Sequence, residues 1–190
     1  MQPKMYKPLM QVTLIGICLY FMAFQCNAQT EFTFAPTTSD FSVTFSAKPK
    51  IEDFQVTTLE GDTFEGVRAE LRAADSFQRV EVVNMPKGYV RMEVSKDDAL
   101  KRLAMYAEQN GIQAPDFRWE ISPLGPKASM RGTKILDNNG VPTAVTYEAV
   151  AYYGDTTFFM VFVGGVSKSY PTTRVFRFLK SVKKNPNKQN

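Results

Sequence analysis

The run 158–163 constrains the fold more than any other part of this sequence. Its six residues, FFMVFV, are all apolar, and the turn-forming residues Gly154 and Asp155 precede it. A strand that is apolar on both faces has to be buried on both faces, because burying each large apolar side chain is worth about 1.5–3 kcal/mol. The sequence therefore predicts a central strand with a layer of structure packed against each side of its sheet.

Alternation of apolar and polar residues predicts the strands that surround this one. Such alternation is typical of a strand that keeps one face on a core and the other in water. The pattern occurs at 41–45, 51–58, 67–73, 77–83 and 143–153, with a weaker example at 130–136. We expect 51–58 to pair with 41–45, and 67–73 to form a hairpin with 77–83.

The predicted hairpin carries its charged residues on one side. These residues are Arg68, Glu70, Arg72, Arg79 and Glu81. Opposite charges that face each other across antiparallel strands stabilise the pairing. The sequence therefore predicts a water-facing surface of cross-strand charge pairs, with the apolar face of the hairpin turned to the core.

A first helix is predicted after Ser95. Ser95 and Asp98 have the spacing of a capping box, and Gly111 suits the position that directly follows a helix. Between them, an apolar stripe recurs at helical spacing: Leu100, Leu103, Ala104 and Ala107. Pro115 excludes any continuation of this helix.

A second helix is predicted near the C-terminus, with Pro171 in its first turn and Asn185-Pro186 at its end. Its apolar stripe consists of Val175, Phe178, Leu179 and Val182. Four cations lie at its end or beyond it: Lys180, Lys183, Lys184 and Lys188. Cations are favoured at a helix C-terminus, so we expect the helix to run into a solvated, disordered tail.

These elements predict an α+β fold, a mostly antiparallel sheet with helices on both faces, which is an α-β-α sandwich. The order of elements resembles the PsbP-like family. The resemblance is carried by the F-S-V-x-F strand 41–45, Pro49, the strand pair 147–153 and 158–163, and the F-x-x-S helix that contains Phe178 and Ser181. It implies a single non-catalytic domain that acts in binding or assembly. The alternative fold is a cystatin-like or NTF2-like roll.

The N-terminus has the pattern of a secretory signal peptide, 1–28. Lys4 and Lys7 form a positively charged start, the stretch 9–24 is mostly apolar and uncharged, and Ala28 ends a small-x-small cleavage site. The apolar stretch is too short to cross a membrane core of about 30 Å as a helix. We therefore expect signal peptidase to cleave after Ala28 and the protein to be secreted or periplasmic, with no stable membrane span.

Cleavage at that site leaves a mature chain, 29–190, that contains no cysteine. Both cysteines, Cys18 and Cys26, precede the cut, and the chain has no His. This inventory excludes Cys nucleophiles, zinc fingers and Ser-His-Asp triads. We expect no catalytic residue, metal or cofactor. The alternative is that Cys26 is lipidated and anchors the chain to a membrane.

Two short segments carry residues that could form a site. Asp116 and Glu120 flank Arg118 and Trp119, and two carboxylates can perform acid–base chemistry without His. Tyr152 points away from its neighbours in the strand 143–153. We name Trp119, Tyr152 and Arg118 as a possible binding surface.

The acidic turn 137–140, Asp-Asn-Asn-Gly, offers the oxygen ligands of a calcium loop. It lacks the alternate spacing and the closing Glu that such a loop needs, and its residues suit a tight hairpin turn. The acidic cluster at 60–65 is interpreted as a solvated loop in the same way. Neither segment is predicted to bind a metal.

The function expected from the sequence is a secreted or envelope-associated binding or assembly module that docks an envelope or secreted protein. Cleavage lowers the net charge from +4 to +2, and no basic stripe interleaved with aromatic residues indicates nucleic acid. The alternatives are a carboxylate-dependent hydrolase, which needs acids that converge in a pocket, and a small-molecule or lipid carrier, which needs an apolar cavity.

Overall fold

The computed structural model describes residues 30–57, 61–86, 95–138 and 140–188. Of these residues, 57% lie in strands and 17% in helices. The elements are β1 (Phe32–Phe34), β2 (Phe41–Phe45), β3 (Lys50–Thr57), β4 (Thr63–Arg72), β5 (Ser76–Asn84), α1 (Lys96–Gln109), β6 (Gln113–Ser122), β7 (Gly125–Asn138), β8 (Val141–Tyr153), β9 (Thr157–Val166), a 3-10 helix (Ser167–Ser169), α2 (Thr173–Lys180) and β10 (Lys183–Lys184). The predicted signal peptide and its cleavage site lie outside the described residues.

The strand β9 lies at the centre of a seven-stranded antiparallel sheet with the order β3-β4-β5-β9-β8-β7-β6. Phe159 and Val161 point into one core, whereas Met160 and Phe162 point into a second core on the other face. The prediction that 158–163 is buried on both faces is confirmed. We call the two faces of this large sheet the β face and the α face, after what packs on each.

The β face packs against a three-stranded sheet, β1-β2-β10, together with α2. Phe41, Phe45 and Phe178 are almost fully buried there. The ring of Phe41 lies 5.5 Å from that of Phe159, and the ring of Phe45 lies 4.7 Å from that of Phe178. Aromatic contacts therefore join the two sheets and the terminal helix into one core.

The α face carries α1, which packs on β6 and β7. The helix buries Ala99, Leu103 and Ala107. They share a core with small residues of β7 and β8, namely Ala128, Ala149 and Ala151. Because alanine leaves room for a helix to approach the sheet closely, α1 lies over this half of the sheet rather than over the charged half formed by β3, β4 and β5.

The predicted cap of α1 is confirmed. The hydroxyl of Ser95 accepts a hydrogen bond from the backbone N–H of Asp98 at 3.1 Å. Gly111 follows the helix with a φ of 63°, the left-handed conformation in which glycine is favoured. Local side-chain and backbone preferences thus set both ends of this helix.

The predicted fold class, an α-β-α sandwich with helices on both faces, is wrong. The described chain is mostly β, with only two α-helices, and the β face is covered chiefly by a second sheet. The predicted pairing of 51–58 with 41–45 is wrong as well, since β2 pairs with β1 and β10 while β3 pairs with β4. The alternative roll also lacks this second sheet.

The edge strand β6, Gln113–Ser122, is not predicted from the sequence. Pro115 was interpreted only as a helix stop, yet β6 lies at an edge of the sheet, where proline is tolerated. The register shifts between Gln113 and Asp116, and Ala114 has a φ of 46°. This irregularity accommodates the proline before the regular pairing with β7 begins.

The C-terminal helix is shorter than the sequence predicts. The helix α2 ends at Lys180, and Lys183–Lys184 then pair with β2. Further on, Asn185 is buried, and its side-chain amide donates to the carbonyls of Pro36 and Ser39 at 2.8 and 3.0 Å. The predicted helix end at Asn185-Pro186 is therefore wrong, because residues 183–185 are already held against the small sheet.

Candidate functional site

Charged side chains of alternating sign occupy the α face of β3, β4 and β5. Strand register places them in two neighbouring rows, Glu52-Arg68-Glu81 and Lys50-Glu70-Arg79. We call these six residues the charge lattice. Every member faces an opposite charge on the adjacent strand, so the lattice neutralises itself.

The ion pairs of the lattice confirm the predicted cross-strand pairing. Arg68 Nε lies 2.8 Å from Glu81 Oε1, and Arg68 Nη1 lies 3.4 Å from Glu52 Oε1. Arg79 Nη1 lies 3.9 Å from Glu70 Oε2 on the neighbouring strand, and within β5 its Nε lies 3.5 Å from Glu81 Oε1. Apart from Lys50, whose side chain is 80% exposed, the side chains of the lattice are only about one-fifth to two-fifths exposed, so most of this surface is less water-facing than the alternation predicts.

Arg79 connects the lattice to the helix. Its guanidinium group lies 4.5 Å from the ring centroid of Phe162, and its Nη2 donates to the hydroxyl of Tyr106 on α1 at 3.2 Å. Burial raises the pKa of Tyr106, while the charge of Arg79 acts in the opposite direction. Tyr106 is therefore a neutral phenol fixed at the seam between α1 and the sheet.

A groove of about 470 Å³ follows this seam. Its apolar lining comes from four strand segments and the helix: Val56, Phe64, Val83, Met85, Met105 and Phe158. Its polar lining comes mainly from α1: Glu81, Asp98, Lys101, Arg102, Tyr106 and Gln109. Small-molecule sites commonly have volumes of about 300–1,000 Å³ and this combination of apolar walls with a few polar groups.

Tyr153 adds a polar group beside the groove. Its ring packs against that of Phe158, with the centroids 5.4 Å apart. Its buried hydroxyl has no hydrogen-bond partner among the described residues. Burial raises the pKa of Tyr153 to about 12, while the nearby charge of Arg102 acts in the opposite direction. An unpartnered buried hydroxyl is unusual in a folded protein, and the ring that carries it packs against Phe158, which lines the groove.

The three residues predicted as a binding surface do not come together. Trp119 lies on the α face, half-buried, with its ring 6.4 Å from that of Tyr153. Tyr152 is only 7% exposed and belongs to the core on the β face. Arg118 is exposed on the edge strand β6 and pairs with Asp116 at 2.9 Å. Tyr152 therefore lacks the exposure that a surface contact requires.

The two acids of the hydrolase hypothesis lie on the same edge strand. The side chains of Asp116 and Glu120 are 61% and 58% exposed, and they pair with Arg118 and Lys127 respectively. Neither lines the groove. Paired, well-exposed carboxylates on a strand edge do not supply the converging acids that the hypothesis requires.

The acidic turn is held by its own hydrogen bonds. Asp137 Oδ1 accepts the backbone N–H of Gly140 at 2.6 Å, and Gly140 has a φ of 80°. This geometry fits the interpretation as a hairpin turn. Among the residues that the structure describes, no group of three or more His, Cys, Asp or Glu is placed to hold a metal ion.

The groove was missed by the sequence interpretation, although its residues carry a signal. Met105 and Tyr106 lie beside the predicted stripe of α1 and widen its apolar side, while Val83 and Phe158 are apolar residues at strand ends. The sequence-based prediction names neither Met105 nor Tyr106, and it treats Val83 and Phe158 only as strand residues. Only the sideways placement of α1 over the alanine-rich half of the sheet makes them the walls of a groove.

No protein-family model matches the chain, and a search of curated proteins finds no match. The resemblance to the PsbP-like family therefore stays a prediction. Within the part of the chain that the structure describes, no helix combines the length and the apolar character needed to span a membrane.

Proposed function

We propose that this chain is a secreted or envelope-associated binding protein that holds an apolar small molecule in the groove between α1 and the large sheet. The observation that carries the proposal is the groove itself, with apolar side chains on both walls and cations of α1 at its rim. The predicted signal peptide supports export. A ligand with an apolar body and an anionic end fits this lining, since Lys101 and Arg102 would attract the anion.

The charged residues around the groove support binding rather than catalysis. Glu81 is engaged by Arg68 and Arg79, and Asp98 accepts a hydrogen bond from the Ser95 hydroxyl at the start of α1. Side chains fixed in this way hold the walls in place before a ligand arrives, which lowers the entropic cost of binding.

A second candidate is the docking of a partner protein, which the sequence analysis favours. In the described part of the chain, β3 pairs only with β4 and so forms an edge of the large sheet. Ile51 and Val56 on this edge are 45% and 36% exposed. An exposed edge strand can accept a strand from a partner.

The ligand proposal is tested by titrating the purified chain with the anionic apolar dye 8-anilinonaphthalene-1-sulfonate. Met105 on the wall is replaced by tryptophan to fill the groove, and Ala104→Trp, exposed on the same helix, serves as the matched control. We expect Met105→Trp to weaken dye binding at least about tenfold, or roughly 1.4 kcal/mol, and Ala104→Trp to leave it unchanged. Equal binding by all three proteins, with folding verified by circular dichroism, would overturn the proposal.

A further inference from the structure

The C-terminal part of the sequence is strongly basic, although the whole mature chain is nearly neutral. Residues 156–190 contain seven Lys and Arg and no Asp or Glu, whereas residues 29–155 contain 14 Lys and Arg against 19 Asp and Glu. The small net charge of +2 therefore hides two regions of opposite sign. Such an asymmetry indicates a surface that attracts anions.

The fold gathers most of these cations on α2 and β10. We call the following residues the basic face: Arg174, Phe176, Arg177, Lys180, Lys183 and Lys184. The last four cations are exposed and Arg174 is half-buried. Of the cations in residues 156–188, only Lys188 forms an ion pair with an acid of the described chain.

An aromatic side chain lies among these cations. Phe176 is 49% exposed, and Lys180 Nζ lies 4.4 Å from the centroid of its ring. Its neighbours Val175 and Phe178 are fully buried and occupy the core side of α2. Phe176 therefore lies outside the core side of α2, with about half of its side chain exposed to solvent.

The basic face is held rigidly by the fold. The hydroxyl of Ser181, just after α2, accepts the backbone N–H of Thr44 at 2.9 Å. Lys183 and Lys184 are in register with Ser42 and Phe41 of β2. The small sheet carries two acids at strand starts, Asp40 and Glu31, and Lys188 already engages Asp40. The backbone positions of these cations are thus fixed by the fold. Of the two acids near them, only Glu31 forms no ion pair among the described residues.

We propose that the basic face binds an anionic lipid membrane surface. A cluster of Lys and Arg around an exposed aromatic ring is the combination that holds proteins at the headgroup layer, because the cations meet anionic headgroups while the ring enters the interface. The basic face and the groove lie on opposite faces of the large sheet, so a membrane-bound molecule keeps its groove turned away from the lipid. The inference stands independently of the groove's ligand.

The test is co-sedimentation of the purified chain with phosphatidylcholine vesicles that do or do not contain about one-third phosphatidylglycerol. We expect binding only to the anionic vesicles and its loss at high salt. The variant Arg177→Gln/Lys180→Gln should bind roughly 20-fold more weakly, since each cation near an anionic surface contributes about fivefold. The matched control Lys96→Gln/Arg118→Gln removes the same net charge from α1 and β6, and should retain at least most of the binding.

A second variant tests the aromatic residue alone. Phe176→Ser leaves the charge unchanged, and we expect it to weaken binding to anionic vesicles by several-fold. Equal binding to neutral vesicles, or an equal loss in the basic-face variant and its control, would overturn the proposal. Binding to soluble polyglutamate without binding to anionic vesicles would also overturn it and would identify an acidic macromolecule as the partner.

Discussion

Asp40 is the residue whose replacement tests the architecture most severely. It is 7% exposed at the start of β2. Its carboxylate accepts the backbone N–H of Thr156 at 3.2 Å and the hydroxyl of Thr157 at 2.9 Å, and it pairs with Lys188. One side chain therefore joins the small sheet, the turn between β8 and β9, and the C-terminal segment.

Replacing Asp40 with asparagine keeps the shape but removes the charge. A hydrogen bond to a charged group contributes about 1.5–3 kcal/mol, and breaking a buried ion pair costs about 3–5 kcal/mol. Because the side chain of Lys188 is 23% exposed, water lowers that cost, and we expect Asp40→Asn to reduce the free energy of unfolding by about 2–3 kcal/mol. Lys188→Met should cost a similar amount, and the double variant less than the sum.

The pH dependence provides a second observable. Burial by itself raises the pKa of Asp40, but the hydrogen bonds from Lys188, Thr156 and Thr157 together outweigh it and hold the pKa below its ordinary value of 3.8. The carboxylate therefore adds stability above that ordinary value, and the contribution is lost as the pH falls through the lower pKa of the folded state. Asp40→Asn should therefore remove this contribution to the pH dependence of the unfolding free energy.

Urea unfolding followed by circular dichroism, between neutral pH and pH 3, measures both effects. If Asp40→Asn unfolds within about 0.5 kcal/mol of the wild type at neutral pH, the carboxylate does not join the three segments as described. If the unfolding free energy of Asp40→Asn falls with decreasing pH as steeply as that of the wild type, the lowered pKa of Asp40 is contradicted.

Three further substitutions test single features of the fold. Gly154→Ala would place a Cβ atom 2.2 Å from Asp40 Oδ2, so we expect it to destabilise the chain by about 1–3 kcal/mol, measured by urea unfolding, and to cost less in an Asp40→Ala background. Arg79→Met leaves Glu81 with Arg68 alone and removes the hydrogen bond to Tyr106, and we expect a loss of about 1–3 kcal/mol in the same assay; no change would mean that the charge lattice contributes no stability. Tyr153→Phe removes a buried hydroxyl that has no partner among the described residues, so the thermal midpoint should stay the same or rise, whereas a clear fall would show that the hydroxyl is hydrogen-bonded in the folded protein.

Local sequence patterns predicted the elements better than they predicted the layers. The helix α1, the hairpin of β4 and β5, and the doubly buried strand β9 each follow from spacing within a short window, and all three are confirmed. The second sheet could not be predicted in this way. It joins residues such as Lys183 and Ser42, which are far apart in sequence, and alternation within a strand does not identify its partner.

The candidate site was harder to predict than the fold. Trp119 and Tyr152 are predicted to share a binding surface, but they lie on opposite faces of the large sheet. The groove depends instead on where α1 lies, which is set by the alanines of β7 and β8 together with the charge lattice beside them. The position of α1 depends on the size of side chains that lie on two different strands. A pattern within one segment of the sequence therefore cannot predict it.

The central claim, that the groove holds an apolar ligand, is tested most directly by native mass spectrometry of the mature chain after gentle purification from its own envelope or medium. We predict a non-covalent small-molecule adduct on the wild type and on Ala104→Trp, and its loss from Met105→Trp. A bare chain, or an adduct that Met105→Trp retains, would contradict the account.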